Sequence, residues 1–155
     1  MPKTEELIFE FLQRRRIAVA GVSRDPGSAA NFVFRTLRDR GYDVSPVNPN
    51  AQQVEGTTCF PSLASIPGEL GGVVVATHPK VSADLVRQAA EKRIVRVWLH
   101  RSFGQGSVSK EAVEECRRRD IRCVVGGCPV MFSQPVDFGH RCMRWWLNRS
   151  GRIET

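Results

Sequence analysis

The sequence predicts an α/β protein: one Rossmann-like, doubly wound, five-stranded parallel sheet with flanking helices. Two observations lead there. Several candidate strands, among them "IAVAG" at 17–21 and "GGVVVAT" at 71–77, are continuous apolar runs rather than alternations, as strands covered on both faces are. Segments of helical length and periodicity separate them, and strands joined through helices imply right-handed parallel crossovers.

Taken in order, residues 4–14 predict an amphipathic helix. Thr4 caps it, Glu5 and Glu6 suit its positive end, Arg14–Arg16 suit its negative end, and Leu7, Ile8, Phe11 and Leu12 form the buried stripe. The first strand, 17–21, leads into a helix over 31–41 that Gly41 stops at its C′ position. "YDVSPV" (42–47) is the second strand. The stretch "NPNAQQVEGTTCFPSLASIPGEL" reads as irregular, punctuated by Pro49, Pro61 and Pro67. The third strand (71–77), a helix at about 80–93, the fourth strand "IVRVWL" (94–99), a helix at about 109–119 and the fifth strand "IRCVVGG" (121–127) complete the core. A terminal helix at 139–149 buries Met143, Trp146 and Leu147 in part.

The 155 residues suit one domain, 1–155, comprising the N-terminal helix, a core at 16–128 and the helical tail. With 41% apolar residues and no run approaching the ~20 apolar residues that span a bilayer, neither a disordered chain nor a membrane protein is expected. The N-terminus has no signal-peptide pattern, and five irregularly spaced cysteines suit a reducing compartment, so a soluble, cytoplasmic protein is the expectation. The net charge of +7 favours an anionic partner: a polyphosphate cofactor, nucleic acid or an acidic membrane face.

Ligands of open parallel sheets bind beyond the carboxyl ends of the strands, where strand order reverses. The first such end, Gly21–Pro26, suits phosphate: Gly21 allows a tight turn, Ser23 offers a hydroxyl and Arg24 a forked cation. A dinucleotide site would place G-x-G-x-x-G here and an acid after the second strand. This chain has "GVSRDPG" and no acid among residues 44–54, which makes NAD(P) the lesser alternative.

The segments "VAGVSRDPG", "RDRGYDVSPVNPNAQQVEGTTCFPSLASIP", "VVVATHPK", "VWLH" and "GGCPVMF" together resemble the stand-alone CoA-binding domain proteins of bacteria and archaea, relatives of the CoA-binding portion of the succinyl-CoA synthetase α subunit. The likeness runs over roughly residues 16–145. It implies a Rossmann-like domain that holds coenzyme A, or an acyl-CoA, by its nucleotide end. By resemblance, Gly21, Val22, Ser23 and Arg24 surround the diphosphate and Asn48 and Pro49 lie beside the adenosine. Thr77, His78, Pro79 and Lys80 follow at the third strand's end, with Lys80 or Arg35 toward the 3′-phosphate. The chain departs from the family at His100, which stands where many members have Gln, and at His78, where a small or apolar residue is more usual.

No residue is assigned to catalysis. His78, His100 and His140 show no nucleophile–base–acid pattern, although His78 and His100 stand at adjacent strand ends. The chain ends where the synthetase's phosphohistidine domain would begin, so a non-catalytic or regulatory module is expected. An accessory subunit of an acyl-CoA ligase or transferase, working with a partner protein, is the enzymatic alternative. Cys128, after Gly126-Gly127, is a thiol near a pantetheine arm and would form a mixed disulfide with CoA if its pKa were lowered. Cysteine and histidine spacings lack the paired clusters of zinc sites, so no metal is expected. The tail's Trp145 and Trp146 among arginines read as helix packing rather than a nucleic-acid surface.

Overall fold

The computed structural model describes residues 2–102 and 104–133. The expected terminal helix, with His140, Trp145 and Trp146, lies outside them. In chain order the elements are α1 (Thr4–Leu12), β1 (Arg16–Ala20), α2 (Ala29–Asp39), β2 (Asp43–Val47), β3 (Gln53–Val54), β4 (Thr57–Thr58), β5 (Gly72–Val75), α3 (Pro79–Glu91), β6 (Arg96–Leu99), α4 (Lys110–Arg118), β7 (Arg122–Val125) and α5 (Pro129–Phe132). Five of the strands form one parallel sheet in the order β2-β1-β5-β6-β7, the expected doubly wound arrangement. The reversal falls between β1 and β5.

Each central strand feeds two cores because successive side chains point to opposite faces. From β1, Ile17 and Val19 join Val74, Trp98 and Val124 under α1, α2 and α5. Ala18 and Ala20 join Val73, Val75, Val97 and Leu99 under α3 and α4. That two-sided burial is why the strands read as unbroken apolar runs. Trp98 anchors the first face: it is fully buried, meets Phe11 edge-on at 5.5 Å between ring centroids and donates its indole N–H to the Gly126 carbonyl at 2.9 Å.

Several boundaries differ from the sequence reading, each for a local reason. α1 starts after Lys3, whose backbone N–H donates to the Glu6 carboxylate at 3.2 Å, so Thr4 lies within the helix rather than capping it. It ends at Leu12, and Arg14–Arg16 do not sit on its last turn. Instead Arg15 stacks over Tyr42, while Arg16 opens β1 and donates to the carbonyls of Glu69 and Pro67. α2 begins two residues earlier than expected because Ser28 caps it, accepting from the Asn31 amide. It ends as expected, with Gly41 in the left-handed region at φ +87.

The stretch read as irregular contains a hairpin. β3 and β4 pair across a two-residue turn, Glu55–Gly56, whose φ values of 51 and 73 are those of a type I′ turn. Phe60 then returns to the sheet margin, where its N–H donates to the Pro46 carbonyl and its carbonyl accepts from Asn48, each at 2.9 Å. β2 is an edge strand, which is where a strand proline is tolerated.

Candidate functional site

Gly21, at the end of β1, turns the chain at φ +106 with its N–H donating to the Val47 carbonyl at 2.9 Å. The loop beyond it is held from below by Asn31, a buried side chain on α2. Its Oδ1 accepts from the Ser23 amide at 2.8 Å and the Ser28 hydroxyl at 2.6 Å, while its Nδ2 donates to the Ser23 carbonyl at 2.8 Å. The Ser23 amide is therefore already spent, and its hydroxyl accepts from the Asp25 amide at 3.2 Å. Among the described residues, the backbone N–H groups of Val22 and Arg24 have no acceptor within the chain. Arg24 is exposed and its guanidinium has no carboxylate partner among the described residues. Val22 is fully buried, so the loop offers one accessible free amide, that of Arg24, and one free cation, a combination suited to an oxyanion.

Beside it, at the β1–β5 reversal, opens a cleft of about 600 Å³. Its floor is Gly21, Ala76 and Thr77; one wall is Asn48–Asn50 and Pro61, the other the α3 face bearing His78, Val81, Asp84, Leu85 and Gln88. Of the residues proposed from sequence, Gly21, Asn48, Pro49, Thr77 and His78 line this cleft. Asn48 acts as a strut within it: Nδ2 donates to the Val22 carbonyl at 3.0 Å and Oδ1 accepts from the Asn50 amide at 2.8 Å. His78 caps α3, its Nδ1 accepting from the Lys80 amide at 3.2 Å, which leaves Nε2 to face outward. Pro79 opens the first turn of that helix, and Lys80 is exposed without a carboxylate partner among the described residues.

Ser23 and Arg24 face a smaller hollow of about 310 Å³ on the α2 side, shared with Asn31, Gln53 and Glu55. Glu55 dominates it. From the hairpin tip its carboxylate accepts from Asn31 Nδ2 and Arg35 Nη1, each at 2.7 Å, and these contacts hold it below the ordinary carboxylate range. Arg35, a sequence candidate for the 3′-phosphate, is thus already paired. Asn31 and Glu55 escaped the sequence reading. The "VEGT" turn with glycine second was the available signal for the hairpin that presents Glu55.

The ends of β6 and β7 form a separate, closed cluster. His100 is 6% exposed and lies 3.2 Å from the Ser102 hydroxyl, so it does not share the cleft with His78. Cys128 is 2% exposed, and burial pushes its thiol up to about 11 despite hydrogen bonds from backbone amides and Ser102. The lowered pKa that a reactive thiol needs is reversed here.

A parallel sheet with a cleft and a glycine-led loop meeting at its reversal point defines a Rossmann-like ligand-binding domain. Residues 15–134 match the CoA binding domain family, and the chain belongs to that family. It is similar to the Bacillus subtilis protein YneT, at 29% identity over 78% of this chain and 87% of that one. It is also similar to the alpha subunit of the ADP-forming acetate–CoA ligase II of Pyrococcus furiosus, at 29% identity over 76% of this chain. That match spans 27% of the subunit's length. Among solved structures, a hypothetical protein from Pyrococcus horikoshii superposes with a TM-score of 0.74 at 30% identity, over 83% of this chain and 87% of that one. Among the described residues, no helix is long and apolar enough to cross a membrane.

Proposed function

We propose that this chain binds coenzyme A or an acyl-CoA through the nucleotide end, and that binding rather than turnover is its own part. The diphosphate lies over Gly21–Arg24, taking hydrogen bonds from the Arg24 amide, the Arg24 guanidinium and the Ser23 hydroxyl. The adenosine enters the neighbouring cleft against Asn48, Pro49, Thr77 and His78, and Lys80, at the first turn of α3, neutralises the 3′-phosphate. The observation that carries this reading is the unpartnered amide of Arg24 beside its unpaired guanidinium, on the loop that leaves the cleft at Gly21 by the sheet's reversal point. The NAD(P) alternative needs a free carboxylate for the ribose hydroxyls near β2; Glu55, the acid by this loop, is held by Asn31 and Arg35.

Calorimetric titration with CoA, dephospho-CoA, ADP and NAD at moderate salt tests the reading. CoA is expected to bind tightest, and Arg24→Ala to weaken it by about tenfold or more, the worth of one charge-assisted hydrogen bond. Binding of NAD without CoA would overturn it. The likeness to a ligase alpha subunit supports a second reading, in which the chain delivers CoA to a partner that carries the chemistry. Co-purification with a protein bearing an ATP-grasp or phosphohistidine domain would favour that reading.

A further inference from the structure

Among the described residues, the walls of the 600 Å³ cleft carry no lysine or arginine, and their one carboxylate is Asp84. A phosphate there would face an acid with no cation to offset it, so the cleft suits the flat, uncharged end of a nucleotide. The apolar surfaces of Val47, Pro61, Val81 and Leu85 fit the faces of such a ring.

Asp84 is exposed at the rim of the cleft, and its carboxylate is held by a neighbour. On α3 it stands one turn before Gln88, and the two are joined by a hydrogen bond from Gln88 Nε2 to Asp84 Oδ2 at 2.9 Å. The orientation of that amide is fixed from its other end, because Gln88 Oε1 accepts from the Leu63 backbone N–H at 3.2 Å. A main-chain donor thus sets the Gln88 amide, and the amide sets the carboxylate. Oδ2 is engaged and Oδ1 is left for a ligand. A carboxylate accepts only, so the ligand group that satisfies it must be a donor.

Among purine rings, that chemistry separates two classes. Adenine presents an exocyclic amino group at position 6, a donor. Hypoxanthine and guanine present a carbonyl oxygen there and carry their donor at N1–H instead, so a carboxylate held opposite position 6 would face that oxygen lone pair to lone pair. We infer that Asp84, oriented by Gln88, is a specificity residue that reads the 6-amino group of an adenine base and rejects 6-oxopurines. The inference rests on the nucleotide reading above and adds to it the residue that chooses the base.

Titration with ADP and IDP, identical apart from the base, tests it. The wild-type protein is expected to bind ADP at least about tenfold more tightly than IDP. Asp84→Asn can turn either an oxygen or an NH₂ toward the ring, so the ratio should fall toward one, chiefly by improved IDP binding. Gln88→Met, which leaves Asp84 in place but unoriented, should lower the ratio by a smaller factor. A merely structural role for Asp84 would weaken both nucleotides alike and leave the ratio intact, and that result overturns the inference. Equal binding of ADP and IDP by the wild type also overturns it while the nucleotide reading stands. If neither nucleotide nor CoA binds, both readings fall together.

Discussion

At φ +106, Gly21 occupies backbone space that a side chain rarely enters, and an added Cβ would lie 2.2 Å from the Ala76 carbonyl oxygen. The two constraints are independent, since one is local strain and the other is the close approach of β1 and β5 at the mouth of the cleft. Gly21→Ala is therefore expected to destabilise the fold by at least ~2 kcal/mol, from left-handed strain and overpacking combined. Urea denaturation would register this as a lower midpoint at unchanged slope, and a shift well under ~1 kcal/mol would mean the turn relaxes cheaply. Cys128 makes the opposite kind of case, a residue whose chemistry is suppressed by its surroundings. With its pKa at about 11, only roughly one thiol in a thousand is ionised near pH 8. Incubation of the folded protein with CoA disulfide should therefore leave Cys128 unmodified in a peptide-mass analysis. Unfolding in denaturant should release it to exchange, with CoA thiolate as the leaving group. Rapid adduct formation at Cys128 in the folded protein would show that the cluster opens.

At the scale of elements, α3 and α4 are clamped by one buried acid. The Glu115 carboxylate accepts from Arg119 at 2.9 Å, from Arg118 at 2.5 Å and from Arg87 at 3.3 Å, and Arg87 also reaches Glu111 at 2.6 Å. The Arg119 hydrogen bond, opposed by burial and reinforced by the Arg118 and Arg87 charges, holds Glu115 below the usual 4.5. Its ionised form is thus favoured in the folded state, so its contribution is complete above the unfolded value and is lost as pH falls through the folded one. Glu115→Gln should melt below wild type at neutral pH, and the gap in melting temperature should close as the pH drops below 4.5. A gap that persists in acid would assign the loss to shape rather than charge. The sheet strands were legible as continuous apolar runs set between segments of helical length, and the end of α2 by its stop signal at Gly41. What stayed hidden was held together by tertiary contacts: the Asn31–Glu55 link spans 24 positions, and the Gln88 amide takes its orientation from Leu63, 25 positions away. Local pattern located the first loop and the strand ends, but not which amides and cations there remain unspent.

Among the described residues, the cations at the helix ends stand apart from the candidate site. In a parallel sheet every crossover helix ends at the amino edge of the strands, and there stand Arg38 in the last turn of α2 and Arg40 at its C-cap, Lys92 and Arg93 at the end of α3, and Arg117, Arg118 and the C-cap Arg119 at the end of α4, at the negative ends of the helix dipoles. At the carboxyl edge, Arg35 is matched by Glu55, which leaves Arg24 and Lys80 as the unpaired cations beside the first loop and cleft. An eleven-residue helix such as α2 separates the two edges by about 16 Å, twice the Debye length of ~8 Å at physiological ionic strength. Among the described residues, the attraction a phosphate ligand feels near the site therefore comes from Arg24 and Lys80 rather than from the helix-end cations. Titrations of CoA across a salt series should show only a shallow weakening, with a slope set by about two cations rather than by seven or more. Arg24→Ala should flatten that slope by about half, whereas Arg117→Gln, which disturbs only an exposed pair with Glu114, should leave it unchanged. If Arg117→Gln flattened the slope as much as Arg24→Ala does, the ligand would be drawn by the far edge, and the assignment of the phosphates to the first loop would fail with it.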